Sequence, residues 1–399
     1  PQHSSMKRAL PYMPLVLLLA TLVYLPGLTG GFAFDDYPNI LLNDNINDAF
    51  VDIESLAQTA WSGGAGPLKR PISMLSFALN KTTTGGWPMA YKVTNLAIHL
   101  LNGFLLYLLA RLIFRALARQ DARITERAGY GLAVAVSAVW LLHPLNLTAV
   151  LYVVQRMTSL SALFSFLAII TFCAGRLRII SGRRFGLAMV FVLTPLAIGL
   201  GALSKENALL SAPILVLIEC CLFRFAASER WVGQLLKTTA VIMLVVPIVA
   251  VAVFFLTHPD WISASYQDRP FTVEQRVLTE GRVIWFYISL IVLPRLNEFA
   301  LYHDDIALST GLLEPSSTAL ALAALVTVIV AALVFWRRMP VLCLAVFWFL
   351  IGHAMESTIM PLELTHEHRN YFPSVGLIIG LAYSIYAVSL KAQANHLPR

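Results

Sequence analysis

The sequence predicts an all-α polytopic membrane protein, on two observations. Of its 399 residues 58% are hydrophobic and only 13% charged, with a mean hydropathy of +0.72, too little polar surface for a soluble core of this size. The apolar residues also gather into ten runs, each near the length that crosses roughly 30 Å of hydrocarbon. They lie near 10–26, 93–114, 128–146, 157–174, 185–203, 207–225, 238–257, 316–336, 340–356 and 373–390.

The first run follows Lys7 and Arg8, as the core of a signal peptide would. LPGLTGGF leads on from it without a small-x-small cleavage site, so the run is expected to stay as a helix. Residues 27–92 then hold FDDYPNI, the Gly-rich SGGAGP and LKRPISMLSFALN, whose apolar spacing suits an amphipathic helix lying on the membrane. Further along, basic clusters follow alternate runs: Arg111 to Arg127, Arg176 to Arg184, Arg224 to Lys237, and Arg337 with Arg338. With the N-terminus inside, 18 of the 29 basic residues fall on the inner side and 18 of the 22 acids on the outer side. Both termini are then cytoplasmic.

Residues 258–315 form a second outer segment. It contains an eleventh run, VIWFYISLIVLP at 283–294, which is short and ends in proline, as a re-entrant or interfacial helix would. Counting it as a crossing would turn Arg337 and Arg338 outward. No repeat of 20–50 residues interrupts the pattern, so residues 1–399 read as one transmembrane domain, capped outside by 27–92 and 258–315. The four cysteines sit inside apolar runs, form no CxxC pair and read as packing residues.

Eleven basic residues remain outside, among them Arg70, Arg156, Lys205, Arg282 and Arg369. Charge at the outer end of a membrane helix is expensive unless it lines a cavity or meets a partner. Guanidinium groups suit phosphate oxygens because their planar donors bind two at once. Lys205 and Glu206 could equally pair or snorkel. The Asp35–Asp36 pair, taken alone, is also ordinary turn material before Tyr37-Pro38.

Six motifs, in order, carry a resemblance: FDDYPNI, KRPISMLSFALN, YKVTNLAIHLLNGFLLYLL, WLLHPLNLTAVLYVVQRMTSLSALF, LSKENALL and LELTHEHRNYFPSVG. Together they resemble the GT-C glycosyltransferase superfamily, in particular its transmembrane O-mannosyltransferases that carry tetratricopeptide repeats and their bacterial relatives. The resemblance spans roughly residues 20–380. No such repeats occur in this sequence, so no acceptor-docking role of theirs carries over.

The resemblance implies a GT-C-like bundle that takes a sugar from a polyprenyl-phosphate carrier and transfers it to a protein or glycolipid acceptor at the outer face, with inversion. Asp35 and Asp36 match the acidic motif of the first outer loop. An acceptor hydroxyl needs a carboxylate to take its proton as it attacks the anomeric carbon. The departing lipid phosphate needs cationic donors. One of the two acids would be the base while its neighbour orients it, binds sugar or holds a divalent metal; Pro38 tips the preference to Asp36 as base. Phosphate and sugar are assigned to Arg70, Arg156, Lys205, Glu206, Arg282, His366, His368 and Arg369. The setting expected is an integral membrane protein of a bacterial inner membrane, with its site facing the periplasm.

Other chemistries fit less well. In THEHRN the two histidines are spaced i, i+2, which places them on different helix faces and lacks the HExxH pattern of a metal site, so no metal is assigned there. His303, Asp304 and Asp305 could meet sugar or cap a loop. SGGAGP lacks the GK[ST] ending of a phosphate loop, which argues against ATP-driven transport. The pI of about 9.3 reflects inner loops facing anionic lipid, not nucleic-acid binding. Two alternatives stay open: a polymerase or ligase of lipid-linked glycans, and a non-enzymatic lipid-carrier transporter or assembly subunit.

Overall fold

The structure is a computed structural model that describes residues 12–47, 52–303 and 305–396. Lys7, Arg8 and Asp304 lie outside the described residues. The chain is an integral membrane protein built of helices, with no strand among the described residues. Among the described residues eight helices are long and apolar enough to cross a membrane: Tyr12–Thr29, Pro88–Leu117, Val153–Ile180, Phe185–Ala202, Glu206–Phe223, Arg230–Thr257, Ser317–Phe335 and Ser374–Ala394.

The two remaining sequence runs are helical but differ from a simple span, for local reasons. The 128–146 run is Glu126–Leu142 followed by Pro144–Leu151, bent by 55°. Pro144 cannot continue the first helix, and His143 before it is extended, as a residue preceding proline prefers. The 340–356 run forms only the 14-residue helix Pro340–His353. The eleventh run belongs to a longer helix, Val273–Val292, started by a reciprocal cap between Thr272 and Gln275. Its polar first half buries Arg276, Thr279 and Glu280, so a search for apolar residues finds only its second half.

Proline also explains a bulge within Phe185–Ala202. Residues Met189–Leu193 form a π-turn just ahead of Pro195, which has no N–H to donate and crowds the carbonyls of the preceding turn. The hydroxyl of Thr194 donates to the Met189 carbonyl at 2.9 Å.

Two compact units divide the chain. The first comprises Pro1–Ser211 with Leu381–Arg399, and in it Pro88–Leu117 packs on Glu126–Leu142 and on Arg156–Ile180. Its core holds Trp140, Phe114 and Phe166, all fully buried. The helix Pro71–Thr84 packs on protein here, with Met74, Phe77 and Ala78 fully buried. The second unit is Ala212–Gly380, where Val273–Val292 packs on Ser317–Phe335 and Pro340–His353 supports the turn Glu367–Asn370. Trp348, Phe349, Tyr287 and Tyr371 form its core.

Candidate active site

In the first unit, four of the sequence motifs converge on a fifth, the short stretch Tyr152–Thr158. This is where the bent helix ends and the next membrane helix begins, so backbone N–H groups and side chains are free to face other elements.

The acidic loop is fastened there first. Asp36 is only 1% exposed; its Oδ1 accepts the Val154 N–H at 2.7 Å and its Oδ2 accepts the Ala33 N–H at 2.9 Å. The backbone N–H of Asp35 donates to the Tyr152 hydroxyl at 2.8 Å, while the Asp35 side chain is exposed. Phe34, at φ 36°, makes the tight turn that separates the two directions. Adjacent carboxylates thus occupy different environments. Burial pushes the Asp36 carboxyl up to about 6, against the pull of the Ala33 and Val154 N–H groups and of the Lys92 charge. Burial likewise raises the Tyr152 phenol. Lys92 reaches toward this loop past Gly30, where an added Cβ would sit 2.7 Å from Nζ.

Arg156 fastens the next two motifs. Its Nε donates to Asn95 Oδ1 at 2.7 Å, Nη1 to the Ser76 carbonyl at 2.9 Å and Nη2 to the Tyr91 carbonyl at 3.0 Å. The guanidinium lies over the rings of Phe77 and Tyr91, at 4.9 and 5.4 Å. The side chain is fully buried, so its charge is spread over protein acceptors and aromatic faces. Asn95 in turn donates to the Val150 and Val153 carbonyls.

The KRP and SKEN motifs meet beside it. Arg70 donates from Nε to Glu206 Oε2 at 3.0 Å, its Nη2 lies 3.0 Å from the same oxygen, and its Nη1 reaches the Met157 sulfur at 3.3 Å. The Leu68 N–H adds a 3.3 Å bond to Glu206 Oε1. Gly66, at φ 77°, lets the loop wrap this closely, since a Cβ there would come within 2.2 Å of Oε1. Lys205 is buried with Nζ 3.2 Å from the Thr158 hydroxyl.

The remaining assigned residues lie in the second unit. Arg369 is buried and donates to the Glu363 and Leu364 carbonyls at 2.7 and 3.2 Å. Arg276 gathers the carbonyls of Glu356, Thr358 and Leu362 and pairs with Glu280 at 2.9 Å. The two guanidiniums together hold the 356–364 turn. Burial pushes the Glu280 carboxyl up to about 7, with Arg276 and Arg369 pulling the other way. The rings of His366 and His368 stack with centroids 5.1 Å apart, and the Tyr287 hydroxyl grips the His366 backbone on both its N–H and C=O. Arg282 lies on another face, donating to the Ala307 carbonyl at 2.7 Å.

Both Asp36 oxygens already take backbone N–H bonds, and no group of three or more His, Cys, Asp or Glu that could hold a metal forms among the described residues. Sequence reading missed Tyr152, Asn95 and Lys92 as parts of this site. Lys92 is one of the eleven basic residues that the sequence reading puts outside, and Asn95 lies within YKVTNLAIHLLNGFLLYLL with no charge to single it out.

Three curated proteins match the chain. It is 24% identical over 234 residues to the protein O-mannosyl-transferase F38B6.6 of Caenorhabditis elegans, covering 57% of this chain and 31% of that protein. It is 28% identical over 197 residues to the protein O-mannosyl-transferase Tmtc1 of Drosophila melanogaster, covering 48% and 20%. A third match is human protein O-mannosyl-transferase TMTC3, 24% identical over 234 residues, covering 57% and 23%. The matched stretches thus span less than a third of the length of these relatives. No family model matches the chain, and no solved structure does.

Proposed function

We propose that the chain is a membrane glycosyltransferase that moves a sugar, mannose by the names of its relatives, from a polyprenyl-phosphate carrier to a hydroxyl of a protein acceptor at the outer face. The observation that carries this reading is the convergence of the acidic loop, Arg70, Lys205 and Asn95 on Tyr152–Thr158. A structural role for any one of these groups is common; four sequence-distant motifs fastened to one seven-residue stretch of a fifth favour a shared task.

In the proposed reaction Asp35, the exposed member of the pair, takes the proton of the acceptor hydroxyl. The hydroxyl oxygen bonds to the anomeric carbon as the bond to the carrier phosphate breaks, with inversion. The phosphate leaves with the electron pair and its charge is stabilised by Arg70 and Lys205. Asp36 and Arg156 are positioning residues, the first tying the loop to Val154 and the second tying Pro71–Thr84 and Pro88–Leu117 to the same stretch. Within the second unit, Arg369 shapes the turn that carries His366 and His368.

Donor choice tests the reading. The purified chain in proteoliposomes, given an acceptor peptide, should consume a polyprenyl-phosphate mannose and not a nucleotide-linked mannose, as followed by mass spectrometry of the peptide. Transfer from the nucleotide sugar alone would overturn it.

A further inference from the structure

A cleft of about 720 Å³ opens within the second unit, between the side of Val273–Val292 and the stretches 295–303 and 305–307. From its composition and charge we infer that it is a carbohydrate-recognition subsite that takes a neutral hexopyranose ring. The inference rests on the glycosyltransferase reading only for the choice of mannose as the first probe.

The walls are held in place before any ligand arrives. Glu367, 3% exposed, accepts the Ala300 N–H at 2.7 Å and sits 3.3 Å from His303 Nε2. At the other end the Thr279 hydroxyl accepts the Ser309 N–H at 2.9 Å, next to Arg282 on the Ala307 carbonyl. A site fixed by buried groups loses less on binding than a loop that must order.

The lining combines aromatic rings with planar polar groups. Phe286 and Tyr302 supply the rings; Tyr302 is 54% exposed and 6.0 Å from the His366 ring, so the aromatic wall runs on into the histidine turn. Asn297, Asp305, His303 and Arg282 supply donors and acceptors in the pattern a polyol needs, since each sugar hydroxyl both donates and accepts. Charge argues against an anion. Arg282 and Arg295 are matched by Asp305 and Glu298, and Arg295 is spent on Glu298 at 2.6 Å. A phosphate would meet no net positive lining. A neutral ring would pack its C–H face on the aromatics and its hydroxyls on the planar groups.

Saturation-transfer difference NMR on the full chain in nanodiscs tests this, with methyl α-mannoside, methyl α-glucoside and inorganic phosphate as probes. The expected result is saturation of the ring protons of at least one hexoside at millimolar concentration. Tyr302→Ala and Asp305→Asn, both at exposed positions, should weaken it at least fivefold, and phosphate should not compete. Mannoside binding with mannosyl phosphate in competition would identify the ring as the donor's, and mannoside binding without that competition would assign it to the acceptor side. No transfer to either hexoside, binding unchanged in both variants, or displacement by phosphate would overturn the proposal. Because binding is read without turnover, failure here is separate from failure of the donor test.

Discussion

Asp36 Oδ1 accepts the backbone N–H of Val154 at 2.7 Å, a contact across 118 residues of sequence that sets where the acidic loop lies. The carboxylate that made the loop noticeable is therefore its anchor. The neighbouring Asp35 is the one turned to solvent. A buried acid with both oxygens hydrogen-bonded to backbone is suited to positioning, so the proposal gives the base to the exposed Asp35 where Pro38 had favoured Asp36.

The anchor has a pH signature. Burial raises the Asp36 carboxyl from an ordinary 3.8 to about 6, so the fold favours its neutral form relative to the unfolded chain. The stability this group contributes is complete below about 4 and is lost as pH rises through about 6. Thermal unfolding of the wild type and Asp36→Asn in the same detergent should show the wild type losing ground to the variant between those pH values. Parallel curves would mean that Asp36 does not titrate there.

Arg156 should behave as framework. Arg156→Met keeps the volume but leaves Asn95 Oδ1 without this donor and removes the bonds to the helical carbonyls of Ser76 and Tyr91. Each such loss costs about 1–3 kcal/mol, so the unfolding midpoint should fall sharply. Arg156→Lys should rescue little of it, because an ammonium cannot fork to three acceptors on separate segments. Weaker donor binding at unchanged stability would instead make the guanidinium a donor ligand.

How much of this was legible follows from where each signal resides. The spans were readable because hydrocarbon demands a run of apolar side chains, and a helix such as Arg230–Thr257 has no other way to exist there. Pro340–His353 was overextended because apolar composition continues past the residue where the helix ends. The site was half legible. FDDYPNI, KRP and SKEN drew notice as charge in greasy sequence, but the pairing of Arg70 with Glu206 and the spending of Arg156 on three neutral acceptors are tertiary facts. Tyr152 gave no signal at all, since a tyrosine near a helix end is commonplace at a membrane interface.

Topology can be checked independently. A Cβ added at Gly64 would meet nothing within 4 Å, and this residue lies in the first outer segment, whereas Ser181 is exposed on the opposite side by the charge argument. Cysteines placed at these positions in intact cells should be labelled from outside at 64 and spared at 181. Three of the four native cysteines are buried, which keeps the background low. The reverse pattern would put the acidic loop in the cytoplasm and remove the outer-face reaction.

The central claim is that the Asp35–Asp36 loop carries the chemistry, and the most direct measurement is sugar transfer by Asp35→Asn, Asp36→Asn and the double variant, each reconstituted at matched folded fraction. An amide keeps the shape of a carboxylate but cannot take the acceptor proton, and loss of a general base costs about 10²–10⁴ in rate. Asp35→Asn should lose activity on that scale with donor binding intact, Asp36→Asn should lose less, and the double variant should be inactive. Transfer at the wild-type rate by the double variant would place the base elsewhere and contradict the account.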